Sequence, residues 1–175
     1  MSPIKRNLRA GSLGALLALS AFAIIEMAMP KPSVAATAPR AQPAQVAAGP
    51  HVDGNHFTLD GAPAADCAVG ASCVVAIKLA AQAEYHINQQ YPYKFTASPA
   101  AGVTFLGADP ANPNVFTKTA GDFAINDEKT ATMNVKFKVA QKGPVAIGGT
   151  FKLSVCSSAN CQLEQQDLSV SVTAK

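Results

Sequence analysis

The chain has 175 residues, a formal net charge of +3, 49% hydrophobic and 14% charged residues, and no tryptophan. Four basic residues, Lys5, Arg6, Arg9 and Lys31, precede Thr37 against one acid, Glu26; from Thr37 onward ten basic residues balance ten acidic ones. That balance, with no basic run, argues against a nucleic-acid partner, and the low charge content reflects alanine and the amino-terminal segment rather than a second membrane element.

Lys5, Arg6 and Arg9 form a basic start, Ala10 to Met29 an apolar stretch, and Val34-Ala35-Ala36 a small-x-small step. This pattern predicts a signal peptide over residues 1–36. Glu26 and the length of the stretch leave an uncleaved membrane anchor as the alternative. No cysteine precedes Cys67, which rules out a lipid-modified amino-terminal cysteine, and no other segment has the length and apolarity to span a bilayer. Residues 37–50, TAPRAQPAQVAAGP, read as a semi-extended Ala/Pro-rich linker. One domain is expected over residues 51–175, enough for a single core.

The domain opens with His51 and His56 around a turn at Asp53-Gly54. Two histidines and an aspartate could ligate a metal, but without further convergent ligands they read as polar residues at the edge of the fold, and no metal site is assigned. Cys67 and Cys73 flank a turn with Gly70. In the strand that follows, Val75, Ile77 and Leu79 alternate in the parity of Cys73, which puts Cys73 inward and predicts a stable structural bridge. All three tyrosines then fall in EYHINQQYPYKF. Tyr85, His86, Tyr91 and Tyr93 form either an aromatic cap or docking surface or, as the plainer reading, a strand–turn corner fixed by Pro92.

Further strands are expected at Tyr93–Thr96, Val103–Leu106 and Val115–Thr117. Asp122–Lys129 reads as a solvated, mixed-charge loop. Met133, Val135, Phe137 and Val139 face inward on the clearest strand. Gly143-Pro144 predicts a turn, Val145–Val155 a strand with a bulge or bend at Gly148-Gly149, and Leu168–Thr173 the last strand. About seven short strands with no sustained helical period predict an all-β, immunoglobulin-like antiparallel sandwich.

Four cysteines in an exported chain form an even set with three possible connectivities, of which neighbour pairing is the simplest. Such short loops stabilise by only about 2 kcal/mol each, against about 4–5 for a long-range link. A pure staple would favour the long link, so the short pairs argue mildly for chemistry. Cys156 ends an alternating run in which Phe151, Leu153 and Val155 share one face and Lys152, Ser154 and Cys156 the other. Parity therefore predicts a reachable Cys156 whose thiolate Lys152 could favour. Cys156 and Cys161 can form a redox pair, a surface staple or, least of all, part of a metal site.

An aromatic EYHINQQYPYKF segment, a strand ending in one cysteine and a second cysteine a few residues on together resemble the amino-terminal periplasmic domain of the DsbD thiol:disulfide interchange family. The similarity covers roughly residues 70–175. It implies an immunoglobulin-like domain in which Cys156 and Cys161 exchange disulfides without a cofactor, with Cys156 the more exposed sulfur and Tyr85–Tyr93 the cap region. The implied partners are other exported thiol proteins or a membrane electron conduit on another chain, in a periplasmic or secreted location. The alternative is a non-enzymatic extracytoplasmic binding or structural module with two structural disulfides.

Overall fold

The computed structural model describes residues 49–63 and 65–175. The expected signal segment, and all of the linker before Gly49, lie outside the described residues. The described chain is all-β. Its eleven strands are β1 (His51–Asp53), β2 (Phe57–Ala62), β3 (Cys73–Ala81), β4 (His86–Ile87), β5 (Lys94–Ala97), β6 (Val103–Phe105), β7 (Val115–Thr117), β8 (Phe123–Ile125), β9 (Thr130–Val139), β10 (Gly143–Cys156) and β11 (Cys161–Ala174). Among these residues no helix is long and apolar enough to cross a membrane.

The strands form two antiparallel sheets. One runs β1-β2-β3-β9-β6, with β8 also on β9; the other runs β11-β10-β5-β7, with β4 also on β10. The period-2 pattern explains how they close on each other. Val75, Ile77 and Leu79 of β3 and Met133, Val135 and Phe137 of β9 are buried, and so are Phe151, Leu153 and Val155 of β10 and Leu168, Val170 and Val172 of β11. Each strand thus turns alternate apolar side chains into one shared layer between the sheets. This is the immunoglobulin-like antiparallel sandwich expected from the sequence.

Several local expectations are corrected. The register of β10 on β11 runs unbroken through Gly148↔Ser169 and Gly149↔Leu168, so the glycine pair makes no bulge. Its reason is close approach: a Cβ at Gly149 would lie 2.4 Å from the Thr96 carbonyl oxygen and 2.6 Å from Phe95. Gly143 and Pro144 are paired strand residues, with Gly143 at a φ of +119°; the chain turns just before them. Asp122 is not solvated. It is 2% exposed, accepts a backbone hydrogen bond from Thr117 at 3.2 Å and pairs with Lys136 at 3.3 Å. The residues after it form β8 rather than a loop. Finally, β11 begins at Cys161, well before Leu168. Its first half carries Gln, Glu and Asp because it lies on a sheet edge, where no apolar alternation is required.

Candidate redox site

The two long strands β10 and β11 form one hairpin closed by the four residues Ser157–Asn160. Cys156 and Cys161 are the last register pair before that loop. The loop is held locally: Ser157 donates its amide to the Asn160 carbonyl at 2.8 Å, and the Ser157 hydroxyl accepts the Asn160 and Ala159 amides at 3.2 Å each.

Backbone polarity gives the type of pair. Along β11 the Ser169 amide points away from β10, to the Gly49 carbonyl, and the Lys175 amide points the same way, to Cys67. Odd-numbered residues of β11 therefore direct N–H and C=O outward, and Cys161 belongs to the narrow, non-hydrogen-bonded class of antiparallel pairs. Narrow pairs bring opposite side chains closest. Cys156 and Cys161 have Cα atoms 3.9 Å apart and are disulfide-bonded, and Cys67 and Cys73 form the second disulfide with Cα atoms 5.3 Å apart. All four cysteines are thus bonded between sequence neighbours.

The two bridges sit in different surroundings. Cys67 and Cys73 are 1% and 2% exposed. Their bridge ties the chain beside β11: Lys175 donates to the Cys67 carbonyl at 2.9 Å, and Val69 to the Lys175 carbonyl at 3.3 Å. Cys161 is exposed, whereas Cys156 is 6% exposed. This corrects the expectation that Cys156 is the more reachable sulfur. Parity does put Cys156 on the outer face of its sheet, but there it lies between two flanking strands, Cys161 of β11 on one side and His86 of β4 on the other.

Lys152 stands four residues from Cys156 along β10, about 13 Å at strand rise, which is too far to act on its sulfur. The side chain opposite Cys156 is His86. Directly opposite residues in an antiparallel pair have Cβ atoms about 4.5–5.5 Å apart. His86 is exposed and stands at the rim of a depression of about 420 Å³ lined also by Asn88, Gln90 and Glu128.

The aromatic segment divides between two tasks. Tyr85 is 5% exposed and shares the inner face with Ile87, beneath the cysteine turn rather than over it. Its hydroxyl donates to Asn160 Oδ1 at 3.1 Å and accepts from Gln162 Nε2 at 3.4 Å. Tyr85 thereby grips the residues on either side of Cys161. Its ring stacks on His56 with centroids 4.0 Å apart. Lys129 Nζ holds the backbone there by donating to the Ala83 and Tyr85 carbonyls at 2.7 and 2.6 Å.

Tyr93 and Tyr91 do not reach the turn. Tyr93 is fully buried, stacked on Phe123 at 4.0 Å, with Tyr91 set edgewise at 5.2 Å. Tyr93 also repairs the backbone. Between β4 and β5 the edge of β10 is unpaired around Ser154; there the Tyr93 hydroxyl donates to the Ser154 carbonyl at 2.6 Å and the Asn88 amide adds a longer contact at 3.4 Å. Asn88 Nδ2 donates to the Ser154 hydroxyl at 3.2 Å, which accounts for a fully buried serine on the outer face. Burial raises the Tyr93 pKa well above the ordinary phenol value, so the hydroxyl remains a donor at neutral pH.

The histidines at the start of the domain do not converge on a site. His51 hydrogen-bonds Asp60 at 2.5 Å and Asp53 at 3.0 Å, and these two carboxylates raise its pKa; His56 is engaged with Tyr85. Among the described residues no group of three His, Cys, Asp or Glu side chains is placed to hold a metal. Asn160, Gln162 and Lys129 support the turn and were not read as site residues from the sequence, and His56, read there as a polar residue at the edge of the fold, supports it through Tyr85. Only Asn160, inside the Cys–Cys interval, had a positional signal.

No protein-family model matches the chain, and no curated protein matches it significantly. Among solved structures it is similar to a cohesin module of a family 33 glycoside hydrolase from Clostridium perfringens, at 9% identity and TM-score 0.35, covering 69% of this chain and 97% of that one. It is also similar to AggA, the major subunit of aggregative adherence fimbriae type I from Escherichia coli, at 9% identity and TM-score 0.34, covering 71% and 99%.

Proposed function

We propose that this domain is an exported thiol–disulfide exchange module that passes electrons through Cys156 and Cys161, as its resemblance to the DsbD amino-terminal domain implies. One observation carries the reading: of two disulfides in one small domain, one is sealed at both cysteines and the other ends in an exposed cysteine on a sheet edge. Disulfides persist in oxidising compartments, which fits a periplasmic or secreted location and partners that are exported thiol proteins or a membrane electron conduit.

Exposure supports the following roles. A partner thiolate attacks Cys161 Sγ, a partner–Cys161 bond forms, and the Cys161–Cys156 bond breaks with its electron pair on Cys156 Sγ. A second partner thiolate then attacks the partner's own sulfur in the mixed disulfide and releases Cys161 as thiolate. Two protons complete the two thiols; the partner leaves oxidised and the domain reduced. No cofactor takes part.

The burial of Cys156 favours the alternative, a binding or structural module with two staples. Separate reduction potentials, measured by disulfide mapping in glutathione buffers, discriminate the two. In an exchange module Cys156–Cys161 equilibrates with glutathione while Cys67–Cys73 does not. If both resist until the domain unfolds, as structural bridges below about −300 mV do, the staple reading replaces the exchange reading.

A further inference from the structure

We infer that the partner docks as an extended segment, adding an antiparallel strand to the edge Cys161–Asp167 with its own cysteine opposite Cys161. This rests on the exchange reading above and names the mode of recognition.

β11 is the terminal strand of its sheet. Its carboxyl half is covered, since Ser169, Ala174 and Lys175 are bridged by Gly49, Cys67 and Val69. Its amino half is different. The outward polarity that sends the Ser169 amide to Gly49 applies equally to Cys161, Leu163, Gln165 and Asp167, and among the described residues nothing pairs with their backbone groups. A row of unpaired N–H and C=O groups is the recognition element for strand addition. Proteins usually blunt such edges with charged side chains, proline or a bulge. Cys161–Asp167 carries the acids Glu164 and Asp167 but no lysine or proline, and its register on β10 is regular, so its backbone groups stay open to a strand. Leu163 stands on it 69% exposed, on the same face as the disulfide and two residues from Cys161, a contact for an apolar partner side chain.

The disulfide lies across this row. Cys156 and Cys161 are directly opposite each other, so the bond between them runs from strand to strand. Displacement at sulfur requires the incoming thiolate on the far side of the attacked atom, along the bond being broken. A residue paired with Cys161 on an added strand, about 4.7–4.9 Å further out, presents its side chain on the same face and on that line. Strand addition thus sets three sulfurs in a row, with the partner's attacking, Cys161 in the middle and Cys156 leaving. It also explains why exposure falls on Cys161, the edge member of the pair.

The test uses the oxidised protein and two small thiols: glutathione, which needs no strand, and a capped seven-residue peptide of alternating Val and Thr with a central cysteine. Two peptide versions carry a single backbone N-methyl group. Methylation of the cysteine amide removes a donor facing the edge; methylation of the next residue's amide alters a group facing solvent. The expected result is exchange slowed about tenfold or more by the first methyl group only, the size given by losing backbone hydrogen bonds at the edge. Gln165→Pro removes an outward amide while leaving the hairpin bonds of β11, which the even-numbered residues make. It is expected to slow the unmodified peptide similarly and leave glutathione unchanged. Equal rates for the two methylated peptides overturn strand addition even if Gln165→Pro misfolds, and they are the result expected if another segment, such as residues 42–48 of this chain, covers the edge. If the wild-type protein exchanges with neither thiol, the exchange reading fails and the docking mode with it.

Discussion

Tyr93→Phe tests how the hairpin is anchored behind the cysteines. The substitution keeps the ring stacked on Phe123 and removes only the hydroxyl that donates to the Ser154 carbonyl at 2.6 Å. A net hydrogen bond contributes about 0.5–1.5 kcal/mol, and leaving a buried partner unsatisfied costs about 1–3 kcal/mol. Here the Asn88 amide remains at 3.4 Å as a weak second donor, so the expected loss is about 1.5 kcal/mol. For a domain between the usual size classes that lowers Tm by about 5 °C. Urea unfolding followed by circular dichroism, with both disulfides intact, should show a lower midpoint at unchanged m. The phenol adds a pH signature. Its folded pKa is raised above the ordinary phenol value of about 10, so its contribution is complete below that pH and is lost as pH rises above it. Tyr93→Phe should therefore flatten the alkaline fall in stability. A stability change within about 0.5 kcal/mol, the usual scatter of inert substitutions, would refute the claim that Tyr93 closes the gap between β4 and β5.

Three further outcomes are expected. Gly149→Ala, which drives a Cβ into the Thr96 carbonyl and Phe95, should destabilise by about 1–3 kcal/mol. Gly148→Ala, whose nearest contact is 3.4 Å, should fall well below that in the same denaturation assay. After selective reduction of Cys156–Cys161, mass-spectrometric mapping should find Cys161 alkylated before Cys156. His51, whose pKa is raised by Asp60 and Asp53, should titrate by NMR above 6.5, its stabilising contribution being complete at lower pH and lost as pH rises through its folded value. Asp60→Asn should bring that pKa down.

The sequence carried the fold class because most core strands alternate cleanly. Val75-Ile77-Leu79 and Met133-Val135-Phe137-Val139 have apolar residues at every second position, and those residues are buried. Some short strands leave no such signal. β4 is two residues long and β8 three, and their place is set by what they pair with: His86 and Ile87 with Cys156 and Val155, Phe123 and Ile125 with Met133 and Ala131. The charges of Asp122–Lys129 suggested solvent, yet Asp122 is buried because Lys136 and the Thr117 amide supply partners. That compensation comes from residues five and fourteen positions away and leaves no local trace.

The same distinction governs the cysteine turn. Alternation correctly set Cys156 opposite Phe151, Leu153 and Val155, but it fixes only the face of a sheet, not what covers that face. Coverage depends on position across the sheet. Cys156 lies on β10, an interior strand flanked by β11 and β4, and Cys161 lies on the edge. Two cysteines of one disulfide on one face thus differ in access by a single strand step. A strand order of β10 outermost would have reversed their roles with no change in sequence periodicity. The chemistry proposed for this domain therefore depends on β11 being, among the described residues, the last strand of its sheet, the feature that exposes Cys161 and leaves the backbone beside it without a described partner.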